Sequence, residues 1–256
     1  MMRTFWIFDF DGTLSPIVAD RNAARLHPDC RKLLKELSGN ESHHVAILSS
    51  RMLDDIVPRI DVPGVYIGGN NGLRWYLPQG RVLDCTNLFS GHLRKTRRLM
   101  IRRIMALKEL PGIDIEDKEW SVAVHLRKMD PETKQKAAKH IQAWENLEGI
   151  RILKGPEAME IIFSSFFNKS VGIQVICKHL HYSPGNDTLI YAGDDENDAL
   201  AMEQVLFMGG KAITVGSRNL LPDTYLAKNP EALAHLCREM AGLLTKEVKE
   251  NDPLSN

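Results

Sequence analysis

The chain has 256 residues, and its 33 basic and 33 acidic side chains give a formal net charge of zero. This length allows a large buried core together with a second, smaller domain, and the even charge balance favours a small-molecule ligand over nucleic acid or an anionic membrane. The cysteines are spread along the chain without a Cys-x-x-Cys pair, which argues against a disulfide framework and a zinc site.

Stretches typical of strands and helices alternate at both ends of the chain. The first part predicts strands at 5–8, 45–48 and 65–67, separated by helices at 27–37 and 53–60. The last part predicts helices at 170–179, 198–205 and 230–244, separated by strands at 188–192 and 212–215. This alternation is typical of βαβ units, so we expect an α/β fold with a doubly wound, Rossmann-like parallel sheet as its core.

The middle of the chain has a different order of elements. A long helix (92–110) and a strand (120–126) precede a second helix (131–144) and two short strands (150–153 and 159–163). We therefore predict an inserted α+β cap domain at 83–163, a core domain formed by 1–82 and 164–256, and a polar tail at 246–256. No leader-like segment and no apolar stretch of the about 20 residues that span a membrane is visible, so we expect a cytoplasmic protein.

Two carboxylates stand where the first predicted strand ends. The apolar run Phe5-Trp6-Ile7-Phe8 is followed directly by Asp9-Phe10-Asp11-Gly12-Thr13. An unpaired buried charge is costly, so we expect these carboxylates to be paired, hydrogen-bonded or bound to a cation. A purely structural interpretation, in which acidic residues only cap helices and turns, explains Asp198 but not Asp9 and Asp11 together.

Polar residues also follow the other predicted strands of the core. Open parallel sheets bind ligands at the carboxyl ends of their strands, so we expect these residues to share one crevice with Asp9 and Asp11. They are Ser49-Ser50-Arg51, Lys169 at the start of a helix, and Gly193-Asp194-Asp195-Glu196-Asn197-Asp198. Carboxylates without cysteine favour a hard divalent cation, and Mg²⁺ held together with phosphate oxygens is the commonest case.

The motifs Asp-x-Asp-Gly-Thr and Gly-Asp-Asp-x-Asn-Asp resemble those of the haloacid dehalogenase-like phosphatases, and within them the trehalose-6-phosphate phosphatase family. The resemblance implies that Asp9 is the nucleophile that takes up the phosphoryl group as an aspartyl phosphate. It implies that Asp11 is the general acid and base. Since the longer gap in the sequence follows Ser49 rather than Asp11, the cap follows the second motif, which favours a sugar phosphatase over a phosphomutase.

The same resemblance assigns the phosphate and metal ligands. Ser49 and the main chain near Gly12 and Thr13 would hold the phosphoryl oxygens, and Lys169 would offset their charge. Arg51 is a further candidate for this role, although Ser-Ser-Arg before a helix is also an ordinary capping sequence. Mg²⁺ would be held by Asp9, Asp194 and the main-chain carbonyl of Asp11, with Asp195 and Asp198 in support.

Four residues of the cap are implied to contact the sugar: His125, Arg127, Lys154 and Glu160. The segment 120–127 resembles the strand of the family that ends in Val-His-Tyr-Arg, and 159–161 resembles its Glu-Ile segment. A hydrogen-bonded strand histidine and a surface carboxylate are the alternatives for His125 and Glu160. Ser50, Asn71 and Ser170 depart from the family pattern, which weakens the prediction of the sugar more than that of the nucleophile.

We therefore expect a Mg²⁺-dependent phosphatase of a sugar phosphate, with trehalose 6-phosphate as first choice. The phosphates of mannosyl-glycerate, sucrose and glucosyl-glycerol are alternatives, and so is a non-catalytic phosphosugar-binding paralogue. Expected partners are the small-molecule substrate and a glycosyl-phosphate synthase of the same pathway, without nucleic acid or membrane, for a monomer or weak dimer. The basic residues between Arg94 and Arg103 are interpreted as the solvated face of an amphipathic helix.

Overall fold

The computed structural model describes residues 2–155, 157–164 and 168–244, without the side chains of 88–90. The predicted tail at 246–256 lies outside the described residues. The strands are β1 (Thr4–Phe8), β2 (His43–Leu48), β3 (Tyr66–Gly69), β4 (Arg74–Tyr76), β5 (Val82–Asp84), β6 (Asp114–Asp117), β7 (Ser121–His125), β8 (Arg151–Lys154), β9 (Ala158–Ile162), β10 (Thr188–Gly193), β11 (Lys211–Val215) and β12 (Tyr225–Ala227). The helices are α1 (Pro28–Ser38), α2 (Leu53–Ile56), α3 (Thr86–Ala106), α4 (Pro131–Gln142), α5 (Lys169–His179), α6 (Glu196–Phe207) and α7 (Pro230–Met240).

Eight strands form the large sheet, in the order β12-β11-β10-β1-β2-β3-β4-β5. The strands from β12 to β3 are parallel, whereas β4 and β5 are added antiparallel at one edge. The sheet is doubly wound, because helices cover both of its faces, and β1 is accordingly apolar on both sides. Trp6 and Phe8 pack on the side of α1 and α7, and Phe5 and Ile7 pack on the side of α5 and α6.

Four antiparallel strands form the small sheet, in the order β6-β7-β9-β8. Alternate side chains point to opposite faces of a strand, and here the two faces differ in character. Val122 and Val124 of β7 pack with Ile104 of α3 and Ile141 of α4 in one apolar cluster. The opposite face carries polar residues, and Glu116 and Lys118 on it contact the core. The small sheet therefore lies over the large one with its polar face inward.

The α/β class and the doubly wound core are confirmed, and β4 and β5 add an antiparallel edge to the largely parallel sheet. These two strands, and also β6 and β12, were not predicted because they are only three or four residues long and partly exposed. The helix predicted at 53–60 becomes a 3-10 turn after Ile56, where Pro58 removes a backbone donor.

The small sheet lies inside the segment predicted as the cap, but the exact limits of the two domains remain a prediction. Among the described residues, no helix combines the length and the apolar character that crossing a membrane requires.

Candidate active site

Three acidic side chains from two distant parts of the chain meet at the carboxyl ends of β1 and β10. These strands are neighbours and parallel, so the residues that follow them emerge at the same edge of the sheet. Among the described residues, Asp9, Asp194 and Asp198 each have a carboxylate oxygen within 4.8 Å of the others. Asp9 is also tied to β10 through its backbone N–H, which donates to the carbonyl of Ala192 at 2.9 Å. The predicted crevice is therefore present at this edge.

Lys169 provides the positive charge inside this cluster. Its ammonium group donates to Oδ1 of Asp9 and to Oδ1 of Asp198, both at 2.6 Å, and only 2% of Lys169 is exposed. The helix α5 places the lysine here because it begins at this residue, where the Asn168 side chain accepts from the Ser170 N–H at 2.8 Å. Burial lowers the pKa of Lys169, but attraction to Asp198 and Asp9 outweighs it and raises the pKa well above its ordinary value.

Asp198 is the most heavily hydrogen-bonded carboxylate of the cluster. Its Oδ1 also accepts from the Tyr191 hydroxyl at 2.6 Å, and its Oδ2 accepts from the backbone N–H groups of Asp194 and Asp195 at 3.0 and 3.2 Å. Burial raises the pKa of Asp198, but Lys169 and these donors outweigh it and lower the pKa. Asp198 is thus an ionised anchor that fixes the turn carrying Asp194.

Asp195 has a structural task in this turn. Its side chain caps α6, where Oδ1 accepts from the backbone N–H groups of Asn197 and Asp198 at 2.8 and 3.2 Å. Such a cap stabilises a helix by about 1 kcal/mol. Asp195 therefore lies beside the three converging carboxylates rather than among them, and its predicted part in metal binding remains a prediction.

The cluster holds more negative charge than its surroundings neutralise. Burial, followed by repulsion from Asp198 and Asp195, raises the pKa of Asp194 to about 8. Burial and repulsion from Asp198 raise the pKa of Asp195 to about 6. Burial likewise raises the pKa of Asp9, even though Lys169 opposes the change. Carboxylate oxygens with surplus negative charge are a suitable donor set for a hard divalent cation.

Gly12 brings the turn after β1 close to Asp194. Its φ is +84°, and a Cβ atom built on it would lie 2.0 Å from Oδ2 of Asp194. The next residue, Thr13, is buried, and its hydroxyl donates to Oδ1 of Asp194 at 3.4 Å. Only glycine permits this approach of main chain and carboxylate. The two predicted phosphate-binding residues therefore lie directly beside the acidic cluster.

Asp11 is held by Arg51. The guanidinium donates to both oxygens of Asp11 at 2.6 Å, a bidentate geometry that fixes the carboxylate, and Arg51 itself is only 3% exposed. Its Nη1 donates to Asp55 at 2.7 Å. Ser49 is buried at the end of β2, and its hydroxyl accepts from the Arg51 N–H at 3.1 Å. In this structure Arg51 orients Asp11, a role that differs from the predicted phosphate contact.

Two of the predicted sugar-binding residues lie on the inward face of the small sheet. His125 is half-buried, with Nε2 3.4 Å from Oε2 of Glu116. Glu160 pairs with Lys118 at 3.2 Å and accepts from the Ser121 hydroxyl at 2.7 Å. Burial raises the pKa of Glu160, but Lys118 and Ser121 outweigh it and lower the pKa. These residues face the crevice with fixed donors and acceptors.

The structure does not bring Lys154 to this face, and it leaves Arg127 beyond the edge of the small sheet. Lys154 is the strand partner of Met159, which packs against the helices, so it lies on the opposite face from Glu160. Its ammonium group lies 3.5 Å from Glu145. Arg127 is exposed beyond the end of β7. This geometry does not support a sugar contact by Lys154, whereas a sugar contact by Arg127, whose charge acts on His125, remains a prediction.

The basic residues of α3 lie on its outer surface, away from the crevice. Arg97 forms a bidentate pair with Asp117 at 2.6 and 2.7 Å, while Arg94, Arg98 and Arg102 are exposed. A cavity of about 300 Å³ opens beside them between α3 and the loop before β8, lined partly by Met100 and Ile150. The small sheet separates this cavity from the carboxylates.

The departures from the family pattern fall near Lys169 and Arg51. Ser50 lies between Ser49 and Arg51 at the end of β2, and Ser170 supplies the N–H that Asn168 caps. Asn71 is buried with φ +56° in the turn after β3. In that turn a Cβ on Gly72 would lie 2.5 Å from Cα of Gly172, so α5 packs directly on it.

Sequence reasoning missed several polar residues around the site: Arg21, Asp55, Glu116, Lys118 and Tyr191. The spacing of Asp55 four residues after Arg51 was a usable signal, because residues four apart can meet across the first turn of a helix, and here Arg51 precedes α2 and pairs with Asp55. The others come from loops and strand ends whose neighbours depend on how the two sheets are placed. No local pattern marks them.

The fold and the acidic crevice define a haloacid dehalogenase-like protein. A model of the trehalose-phosphatase family matches residues 7–219, and the chain belongs to this family. The trehalose-phosphate phosphatase of Mycobacterium avium is 31% identical over 199 residues, which is 77% of this chain and 50% of that protein. The Mycobacterium bovis protein of the same name is 29% identical over the same shares. The chain thus spans about half the length of these curated relatives.

A solved structure supports the fold over nearly the whole chain. The C-terminal domain of Candida albicans trehalose-6-phosphate phosphatase superposes with a TM-score of 0.78 at 19% identity. The match covers 95% of this chain and 94% of the other.

Proposed function

We propose that this chain is a Mg²⁺-dependent phosphatase that hydrolyses a sugar phosphate through an aspartyl phosphate on Asp9, with trehalose 6-phosphate as its substrate. The observation that carries the proposal is the convergence of Asp9, Asp194 and Asp198 around Lys169. A crevice that combines carboxylates with one buried lysine suits the positioning and charge stabilisation that phosphoryl transfer requires.

The reaction divides between Asp9 and Asp11. Asp9 attacks phosphorus, an Asp9 O–P bond forms, and the bond from phosphorus to the sugar oxygen breaks while Asp11 gives a proton to that oxygen. Asp11 then takes a proton from water, whose oxygen attacks phosphorus and releases Asp9 as phosphate leaves. Arg51 keeps the carboxyl group of Asp11 in one orientation for both steps.

The residues present fit a Mg²⁺ ion. Asp9, Asp194 and the main-chain carbonyl of Asp11 would hold it, with Asp198 in support because both Asp198 oxygens already accept hydrogen bonds. When bound, Mg²⁺ supplies positive charge to the phosphoryl oxygens. Lys169 adds charge from the protein side, and Ser49, Gly12 and Thr13 line the remaining wall of the phosphate site.

The choice of sugar rests on family membership and on the inward face of the small sheet. His125, Lys118 and Glu160 present an imidazole, an ammonium and a carboxylate group above the crevice. Fixed donors and acceptors of this kind recognise sugar hydroxyls. The relatives that match the chain are named as trehalose-phosphate phosphatases, which supports trehalose 6-phosphate. A purely sugar-binding paralogue would not need the bidentate pair that orients Asp11.

Phosphate release from a panel of sugar phosphates, with and without Mg²⁺, tests the proposal. We expect activity on trehalose 6-phosphate, and we expect Asp9→Asn to lower it by at least about 1,000-fold because the amide is a poor nucleophile. The matched control is Asp61→Asn, because Asp61 is exposed and, among the described residues, pairs only with Arg31 on the surface. It should keep wild-type activity.

Each outcome bears on a separate part of the proposal. Hydrolysis that persists in Asp9→Asn contradicts the covalent route. Hydrolysis of sucrose 6-phosphate or another glycosyl phosphate without hydrolysis of trehalose 6-phosphate contradicts the substrate. Absence of hydrolysis across the panel in Mg²⁺ contradicts the phosphatase itself.

A further inference from the structure

Arg21 has no part in the chemistry proposed above, yet it lies where the core and the small sheet meet. It begins a short 3-10 helix, Arg21–Ala23, in the connection between β1 and α1. Its Nη1 forms an ion pair with Glu116 of β6. Its Nη2 lies 3.4 Å from Asp55 of the core. One guanidinium therefore bridges a carboxylate of each sheet.

On the core side, Arg21 belongs to the network that orients Asp11. Asp55 accepts from Arg51 at 2.7 Å and from Arg59 at 2.7 Å, and Arg51 holds Asp11. Arg51 also donates to the main-chain carbonyl of Arg21 at 2.7 Å. Arg21 is thus joined to the arginine that fixes Asp11 both through its backbone and, by way of Asp55, through its side chain.

On the small-sheet side, the charge partner of Glu116 is Arg21. Ile115 and Asp117 of β6 lie on the face of the small sheet that packs against the helices, and Glu116, between them, lies on the other face. Its other neighbour, His125, is 3.4 Å away. Burial and the positive charge of Arg21 lower the pKa of His125, so the imidazole is neutral at pH 7. With His125 neutral, Arg21 is the cation that pairs with Glu116, and the pair breaks if the small sheet moves away from the large one.

The pair is suited to repeated breaking. The side chains of Arg21 and Glu116 are 30% and 26% exposed, so water solvates both ends when the pair opens. Ion pairs with this degree of exposure contribute only a modest free energy. Another contact between the two regions is different, because the Asn70 side chain donates to the carbonyl of Lys118 at 3.1 Å in a buried position.

We propose that Arg21 is a positioning residue whose ion pair with Glu116 closes the small sheet over the bound sugar phosphate and links that closure to the orientation of Asp11. Closure and acid–base geometry are then set by one connected network, Glu116–Arg21–Asp55–Arg51–Asp11. The inference rests on the proposed function, since it assumes that Asp11 acts on a substrate held between the sheets.

Charge reversal and charge exchange test the proposal. Steady-state kinetics with trehalose 6-phosphate and Mg²⁺ should show kcat lowered about 10-fold in Arg21→Glu and in Glu116→Arg, with a smaller change in KM, because closure acts after binding. The double variant, in which the two charges are exchanged, should recover kcat to within about 3-fold of wild type through the restored pair. The control exchange, Arg31→Glu with Asp61→Arg, alters an exposed ion pair whose two residues both belong to the core domain. It should leave kcat unchanged.

A measurement that needs no activity separates this inference from the proposed function. Small-angle X-ray scattering should show a larger radius of gyration in each single variant and a wild-type value in the exchanged double variant. Unchanged scattering in the single variants overturns the closure role, whether or not the chain hydrolyses any sugar phosphate. A larger radius of gyration without a loss of kcat overturns the link to Asp11. A double variant whose kcat is as low as that of the less active single variant also overturns it.

Discussion

The edge of the large sheet and the inward face of the small sheet both carry buried charge, but they differ in how that charge is balanced. At the large sheet, Lys169 pairs with Asp9 and Asp198, while Asp194 and Asp195 are further carboxyl groups whose pKa values are raised by burial and by repulsion from Asp198. At the small sheet, Glu160 has its own lysine, Lys118, and a hydroxyl donor. An unbalanced cluster is suited to a cation and a reaction, whereas a balanced one is suited to recognition.

Removing the lysine of each region should show the largest difference. Lys169→Met leaves two buried carboxylates without their counter-charge, so we expect it to lower the free energy of unfolding by about 3–5 kcal/mol and to abolish activity. Lys118→Met leaves one carboxylate that still accepts from Ser121, so we expect a loss of about 2 kcal/mol. Urea unfolding in the presence of a chelator measures both values. Equal losses would show that the two regions do not differ as described.

In the wild type, bound Mg²⁺ should offset part of the excess of carboxyl groups over positive charge at the large sheet. Binding to the folded chain stabilises it by about 2.7 kcal/mol at a concentration 100 times the dissociation constant. We expect thermal unfolding to shift upward on addition of MgCl₂, and we expect Asp194→Asn to lose most of that shift. Glu160→Gln, in the balanced region, should retain it. A shift that is independent of Asp194 would place the cation elsewhere.

Gly→Ala changes at two glycines with nearly the same backbone conformation distinguish the effect of backbone strain from the effect of a collision in the site. Gly12 and Gly185 have φ of +84° and +82°, but only the Cβ of an alanine at position 12 would collide with Asp194. Both Gly→Ala changes should lower the free energy of unfolding by about 1 kcal/mol through backbone strain. Only Gly12→Ala should weaken Mg²⁺ binding, by about 10-fold or more, as measured by calorimetric titration. Similar Mg²⁺ affinity in the two variants would contradict the close approach at Gly12.

The smallest expected effect concerns an exposed pair in the inserted segment. Hydrogen bonding from Arg97 holds the pKa of Asp117 below its ordinary value. A depressed folded-state pKa stabilises the protein above the unfolded-state value near 3.9, and this contribution disappears as the pH falls through the folded-state pKa. Asp117→Asn should therefore reduce, by at most about 1 kcal/mol, the loss in free energy of unfolding that the wild type shows as the pH falls. The effect is small because solvent screens the pair. A larger change, or a loss that appears above neutral pH, would be inconsistent with this assignment.

The parts of the molecule that local rules describe were predictable from the sequence. Phe5, Trp6, Ile7 and Phe8 are apolar on both faces, which requires helices on both sides of β1. Parallel strands place Asp9 and Asp194 at one edge, so their meeting follows from the order of elements. The α/β class and the Rossmann-like core follow from these rules, whereas the family was identified from the resemblance of two motifs.

The parts that depend on register and on the placement of the two sheets were not predictable. Whether Lys154 or Glu160 faces the crevice depends on strand position, since neighbouring residues on a strand point to opposite faces. The pair of Arg21 and Glu116 joins residues from different parts of the chain, and each of them alone is an ordinary surface charge. The hairpin of β4 and β5 is too short and too exposed to give a clear alternating pattern.

The central claim is that the carboxylate of Asp9 takes up the phosphoryl group in the crevice formed by the large sheet. The most direct measurement is rapid acid quenching of the Mg²⁺-loaded protein during turnover of trehalose 6-phosphate, followed by peptide mass spectrometry. The account predicts one phosphoryl group on the peptide that contains Asp9, and none on that peptide in Asp9→Asn. Steady hydrolysis with the phosphoryl group on another residue, or with none on any peptide, would contradict it.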